Sequence, residues 1–288
     1  MATKRQMRSM KILRNARKQR GKYPEILNKV IEISDIILEV LDARFPKEML
    51  NKDIENLIKK KDKKIIYVLN KSDLTQKREL SLNPKIFVSC KNRKGISKLR
   101  NKIKEMATKI KRIGDYNRIH VGVPQEGTRT PHRYERIHVG VIGYPNTGKS
   151  SLINLLIGKA SAKTGSEAGF TKGIQKLKLA EGIILLDSPG VIPFDEYSMN
   201  DDEKIAQQVK VGGKSHSQVK NPEFALNEIV KTNKKSLEKF YKIKFSDTED
   251  LIEVLGKKKG FLKKKGEINS DRTAREILKD WQVGKIKI

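Results

Sequence analysis

A single cysteine, Cys90, is all the thiol chemistry that this 288-residue chain offers. One thiol cannot close an intramolecular disulfide or supply a cysteine-rich zinc site, so a small packing role in its loop is expected. Aromatic residues are scarce, at 6%, which argues against base-stacking platforms as the main mode of any nucleic-acid contact. No apolar run approaches the length that spans a bilayer, and the basic start lacks the apolar core of a secretory signal. The expectation is a cytoplasmic protein with no membrane contact. Four histidines, at 120, 132, 138 and 216, show no ligand spacing. Acidic residues are also in short supply: 34 against 63 Lys and Arg, for a net charge of +29. A fold does not need that excess. It creates a field that attracts polyanions and releases their counterions, and it points to structured RNA read through backbone and shape.

What is present is a set of short motifs. Gly143-Tyr-Pro-Asn-Thr-Gly-Lys-Ser150 fits the phosphate-loop pattern G-x4-G-K-[ST]. It lies between a strand-like run, Ile137 to Ile142, and a helix-like run, Ser151 to Ile157. A helix amino terminus there presents unpaired N–H groups to phosphate. Asn146, Thr147, Gly148, Lys149, Ser150 and Ser151 are the expected phosphate ligands, with Lys149 reaching the β- and γ-phosphates and Ser150 a magnesium ion.

Asn70-Lys-Ser-Asp73 ends another strand-like run, Lys64 to Leu69. Asp73 suits guanine, whose N1 and N2 both carry donors; adenine would leave the carboxylate facing a lone pair. Asn70 is expected to brace the loop and Lys71 to lay its stem over the ring. A third strand, Lys85 to Cys90, runs into Ser89-Cys90-Lys91, which by itself reads as an ordinary strand end. Ile183 to Leu186 is a strand ending in Asp187-Ser-Pro-Gly190, the D-x-x-G pattern. Asp187 would orient magnesium, and the Gly190 amide would meet the γ-phosphate. Thr171, in Gly169-Phe-Thr-Lys-Gly173, is the expected switch ligand to magnesium.

The order is inverted. In ordinary GTPases the phosphate loop precedes N-K-x-D, whereas here it follows. The sequence NKSD, SCK, GYPNTGKSS, GFTKG, DSPG resembles the YlqF/YawG family of circularly permuted GTPases, over about residues 24 to 288. Val40-Leu-Asp-Ala-Arg44 and Leu278-Lys-Asp-Trp-Gln-Val-Gly-Lys285 resemble the family too. The resemblance implies a GTP/GDP-binding, magnesium-dependent, slowly hydrolysing factor that assists assembly of the large ribosomal subunit through rRNA and is monomeric away from it. It also implies that Ser89, Cys90 and Lys91 act as a guanine-contacting loop. Asn146 resembles the asparagine that coordinates potassium in cation-activated GTPases, and taken alone it reads equally as a tolerated loop residue. Bacterial members carry an amino-terminal histidine proposed to assist hydrolysis; residues 1 to 30 here hold none. The catalytic set is therefore Lys149, Thr171 and Gly190, with no side-chain base. Two other readings are an RNA-binding scaffold with a structural nucleotide, and an ATP-using P-loop kinase, the latter disfavoured by NKSD.

The expected architecture is an α/β circularly permuted P-loop domain, residues 24–195, then a small all-α domain, residues 200–288. Ahead of them, residues 1–23 form a basic tail, with nine Lys or Arg and no acidic residue over 4–22. Helices are expected over 24–34, Leu50 to Lys61 and Ile96 to Ile110. Ser246-x-x-Glu249 suggests a capping box for a helix closed by Gly256. Ala274, Ile277, Leu278 and Trp281 form one apolar face. Lys257, Lys258, Lys259, Lys263, Lys264 and Lys265 are the candidate RNA clamp. A repeat, Arg118-Ile-His-Val-Gly-Val123 and again Arg136 to Val141, is expected as a sheet strand in its second copy and an edge segment or coincidence in its first.

Overall fold

The computed structural model describes residues 25–75, 80–121, 136–158, 174–188, 202–264 and 266–288. Helix α1 (residues 25–33) leads into β1 (Ile36–Asp42), α2 (Lys52–Lys60), β2 (Lys64–Asn70), β3 (Lys85–Phe87) and α3 (Ile96–Val121). Then come β4 (Ile137–Ile142), α4 (Lys149–Ile157), β5 (Gln175–Ala180) and β6 (Ile183–Asp187). Four helices follow: α5 (Asp202–Val211), α6 (Pro222–Tyr241), α7 (Thr248–Lys259) and α8 (Ser270–Gln282).

The strands form one sheet in the order β3-β2-β1-β4-β6-β5, parallel except for β5. Parallel sheets are covered on both faces, so their strands read as apolar runs. In β1 all seven residues are buried. Ile36, Leu38 and Val40 pack with α3 and α4 through Leu99, Ile103, Leu152 and Leu156. On the other face Ile37 meets α1 and α2, while Leu41 joins the cluster of α5 to α8. That cluster also takes in Phe45, Met49, Leu69 and Tyr144, so the carboxyl-terminal helices sit directly on the ends of the central strands. Trp281 is fully buried within it, and truncating such a side chain costs about 3–5 kcal/mol.

Glu39 is the exception within β1. It is 3% exposed, its Oε2 has no hydrogen-bond partner, and burial followed by the nearby Glu55 charge pushes its pKa up to about 8. Its register partner Tyr67 donates its hydroxyl to Glu55 Oε1 at 2.6 Å.

Several local expectations are corrected. Helix α2 starts at Lys52, because Asn51 caps it by accepting from the Asp53 and Ile54 amides. Helix α3 continues past Ile110 to Val121, and thus residues 118–121 of the first repeat copy are helical while Ile137–Val141 of the second lie in β4. The same Ile-His-Val string is helical at 119–121 and a strand at 137–139, because β4 has β1 and β6 to pair with and the first copy extends a helix already formed. Strand β3 is shorter than expected, ending at Phe87. The cap of α7 is Asp247, whose carboxylate accepts from the Asp250 amide; Ser246 instead gives its own amide to Asp250 Oδ2. Gly256 does not end α7. It stays helical, where a Cβ would collide with Ile268, and Gly260, at φ 66°, is the true terminus. Strand β5 was not anticipated.

Candidate functional site

The site forms where β1, β2, β4 and β6 end, the edge at which open α/β sheets bind ligands. Asn70, the last residue of β2, is buried. Its Nδ2 donates to the Thr147 carbonyl at 2.7 Å, and its Oδ1 accepts the Cys90 amide at 3.2 Å. One side chain thereby joins NKSD, SCK and the phosphate loop. A Cβ on Gly148 would collide with this amide, and Gly148 also has a φ of 92°. Glycine is required there on both counts. Lys71 is left-handed, at φ 58°, and starts the short 3-10 turn Ser72–Leu74. Asp73 Oδ1 accepts the Ser89 hydroxyl at 2.6 Å, and Ser89 Oγ accepts the Asn92 amide at 3.1 Å. Cys90 is half-buried; burial first, then Asp73, pushes its thiol up to about 11, so it is a neutral packing group. Lys91 is exposed beside it.

In the phosphate loop, Thr147 Oγ1 donates to the Tyr144 carbonyl at 2.9 Å. Lys149, the first residue of α4, donates to the carbonyls of Gly143 and Tyr144 at 3.0 and 2.6 Å. Burial lowers its pKa to about 8, opposed by the Asp187 charge. Ser150 Oγ lies 3.5 Å from Asp187 Oδ2. Burial pushes Asp187 up to about 6, against the pull of Lys149 and Ser150, and its Oδ1 is buried without a partner. An orphaned carboxylate oxygen beside a serine hydroxyl fits a hard divalent cation that fills its other positions with phosphate and water. Ser151 is half-buried on the first turn of α4. Asn146, left-handed at φ 59°, spends its Nδ2 on the Gly212 carbonyl at 3.1 Å. Thr171, Gly190 and Lys265 lie outside the described residues.

The five described lysines of the expected RNA clamp separate into two groups. Lys257 pairs with Glu253, Lys258 donates to the Tyr241 carbonyl at 2.9 Å, and Lys259 lies 3.9 Å from both Glu276 and Asp280. All three are engaged within the helical region. Lys263 and Lys264 are exposed on a tight loop closed by the Leu262–Ile268 bridge, and among the described residues their side chains have no partner.

Sequence reasoning missed the polar network beneath the base motif. Arg44 grips Asp42 with two bonds, at 3.0 and 2.9 Å, and donates to the Trp281 carbonyl at 3.0 Å. Lys71 Nζ reaches the same carboxylate at 3.0 Å and the Gln282 carbonyl at 3.3 Å. Burial alone would raise the Asp42 pKa, but Lys71 and Arg44 outweigh it and hold the carboxyl well below its usual range. Removing one member of such a buried pair costs about 3–5 kcal/mol. The only sequence signal was the family-like pair of strings Val40–Arg44 and Leu278–Lys285, whose contact no local pattern encodes.

A family model described as a 50S ribosome-binding GTPase matches residues 138–257. The GTP-binding protein MJ1464 of Methanocaldococcus jannaschii is 37% identical over 273 residues, covering 91% of this chain and 65% of that protein. Nucleolar GTP-binding protein 2 of Saccharomyces cerevisiae is 34% identical over 264 residues, covering 90% of this chain and 51% of that one. The chain thus spans about half to two thirds of the length of these relatives. GNP-bound YlqF from T. maritima superposes with a TM-score of 0.56 at 20% identity, covering 92% of this chain and 97% of that one. With the inverted motif order and the motifs gathered at one sheet edge, these matches make the chain a relative of GTP-binding proteins with the fold of a circularly permuted GTPase, similar to YlqF.

Proposed function

We propose that the protein binds GTP with magnesium, hydrolyses it slowly, and acts as an assembly factor on the large ribosomal subunit through contacts to rRNA. The observation that carries the nucleotide reading is the bond from Asn70 to the Thr147 carbonyl, which sets a guanine-type carboxylate, Asp73, and a phosphate loop on one floor. Asp73 takes the two guanine donors, steadied by Ser89. Asn70 and the Cys90 amide shape the base loop. The amides of residues 146 to 151 and the Lys149 ammonium take the phosphates, with Lys149 exchanging two carbonyls for phosphate oxygens. Ser150 and Asp187 hold magnesium together with Thr171, and the Gly190 amide meets the γ-phosphate. A magnesium ion held by these residues would supply Lewis-acid stabilisation of the charge on the phosphates. No side-chain base is assigned, so positioning of the attacking water falls to a switch-loop backbone group or to the ribosomal partner.

The ribosomal half of the reading is supported by the net charge of +29, by the exposed Lys263–Lys264 loop, and by the description of the matching family model. The remaining claims, domain limits near 24–195 and 200–288 and a monomer off the ribosome, belong to the same reading. Among the described residues no helix is long and apolar enough to cross a membrane. The decisive experiment is cosedimentation with large ribosomal subunits under a non-hydrolysable GTP analogue, GDP and no nucleotide. Binding is expected with the analogue and release with GDP. Binding that ignores nucleotide would replace the switch with a scaffold, and no binding under any condition would remove the ribosomal role.

A further inference from the structure

Gln282, the last residue of α8, uses its whole side-chain amide. Nε2 donates to the Val209 carbonyl at 2.9 Å and to the Lys214 carbonyl at 2.8 Å. Oε1 accepts the His216 amide at 3.1 Å and lies 3.3 Å from His216 Nδ1. These bonds fix the turn over residues 209–216, at whose apex the Gly212 carbonyl takes Asn146 of the phosphate loop. Gly213 is close enough that a Cβ would stand 3.5 Å from the Tyr144 ring, so the same turn packs on the loop as well as bonding to it.

The backbone of Gln282 faces the other way. Its carbonyl takes Lys71 of the base motif, alongside Asp42. The contact continues down the chain. Gly284 packs on Leu74 so tightly that a Cβ would come within 2.6 Å of Leu74 Cδ1, and the Ile288 amide donates to the Leu74 carbonyl at 2.8 Å. Gln282 is therefore bonded on one side to the base motif and on the other to the turn that grips the phosphate loop. Both loops hold a non-glycine residue in the left-handed region, Lys71 at φ 58° and Asn146 at φ 59°. Such conformations persist only where the surroundings over-determine them.

We propose that Gln282 is a positioning residue for the nucleotide site: it holds the Lys71 loop and the Asn146 loop in register, so that guanine-nucleotide binding and the docking of α8 depend on each other. Nucleotide bound across both loops restricts them to the arrangement that α8 fits, and a docked α8 presents them in that arrangement beforehand. Linkage makes the two effects equal in free energy. Gln282 itself touches no nucleotide in this scheme, and none of the nucleotide motifs contains it.

This inference rests on the guanine-nucleotide reading of the site, and the test separates the two. GDP affinity is measured by calorimetry on the full chain, as wild type, Gln282→Ala, Gln282→Glu and Leu251→Ala, each well below its own melting temperature. Leu251 is fully buried in the same apolar cluster, and its hydrocarbon side chain offers neither loop a hydrogen bond. Gln282→Glu keeps the side-chain size and the acceptor but turns an oxygen toward two carbonyls. Both Gln282 variants are expected to bind GDP at least about tenfold more weakly, having lost two to three buried hydrogen bonds, while Leu251→Ala binds as wild type does. Wild-type affinity in either folded Gln282 variant overturns the proposal. So does an equal loss in Leu251→Ala, which would show that general loosening of the helical region is enough. A wild-type chain that binds no GDP overturns the nucleotide reading itself.

Discussion

Asn70 Nδ2 and the Thr147 carbonyl are 2.7 Å apart although 77 residues separate them, and this bond is what makes two motifs of inverted order into one site. Circular permutation changes which motif is translated first and leaves the strand ends as neighbours: Asp42 pairs with Asn70 in register, and β4 runs beside β1. Asn70→Ala would strand the Thr147 carbonyl and the Cys90 amide, each buried polar group costing about 1–3 kcal/mol if left unsatisfied. GDP and GTP affinity should fall together by about tenfold to a hundredfold, measured by nucleotide displacement. An effect on GTP alone would mean that Asn70 acts through the γ-phosphate rather than through the joined loops.

Asp73→Asn should exchange guanine for xanthine preference. The amide offers a donor where xanthine carries its second carbonyl, and its oxygen can still accept from Ser89. The check is competition of XDP and GDP for wild type and variant. Retained guanine preference in the variant would take the base assignment away from Asp73.

Glu39→Gln should flatten the dependence of stability on pH. The pKa of Glu39 is raised from 4.5 to about 8, so the folded chain holds a proton that the unfolded chain has released between those values. Stability from this residue is complete below about pH 4.5 and is lost as pH rises to about 8. The variant carries no such proton. Its melting temperature should match or trail the wild type at pH 5 and exceed it by roughly a few degrees at pH 8.5, as followed by thermal denaturation. A difference that stays constant across that range would mean that Glu39 does not titrate in the folded state.

What the sequence revealed and what it hid follow from the range of the interactions. Phosphate loop, NKSD and D-x-x-G are contiguous strings at the ends of apolar runs, so Asn70, Lys149 and Asp187 were placed from local pattern alone. The face of α8 was also legible, since Ala274, Ile277, Leu278 and Trp281 repeat with helical spacing and all are fully buried. Strand β5 was not: Lys176-Leu177-Lys178-Leu179 alternates with period two, but it is short and half charged, and it is a strand because β6 supplies a partner. Gly256 looked like a terminus because glycine often ends helices; here it is a close-packing position against Ile268, set by tertiary contact. Asp42, Arg44 and Gln282 carried no local signal, because their partners are distant in the chain.

The two lysine groups should behave differently. Lys263→Ser with Lys264→Ser should weaken rRNA binding and reduce the slope of log affinity against log salt by about 1.5 for two lost phosphate contacts. Lys257→Ser should leave the slope unchanged, since that ammonium is already paired with Glu253. Filter binding across a salt series distinguishes them. Equal slopes in all three proteins would make the loop a solvated surface.

Hydrolysis should be faster in potassium than in sodium, and the arrangement of Asn146 says which variants can test this. Its Nδ2 is committed to the Gly212 carbonyl, which leaves Oδ1 as the side-chain atom for a cation beside the phosphates. A cation there would supply positive charge to the transition state where other GTPases receive an arginine. Asn146→Ala removes the oxygen and the Gly212 bond together, so a slow variant would not say which one mattered. Asn146→Asp keeps an oxygen for the cation, but it exchanges the donor for a second oxygen and adds a negative charge, so the informative quantity is the potassium-to-sodium ratio within each protein. Single-turnover rates in potassium should exceed those in sodium by about tenfold, a difference worth about 1.4 kcal/mol in barrier, for wild type and Asn146→Asp. They should be equal in the two salts for Asn146→Ala. Loss of the potassium effect in both variants would assign it to the Gly212 contact and the docking of the carboxyl-terminal helices. Equal rates in wild type would remove the cation from the mechanism.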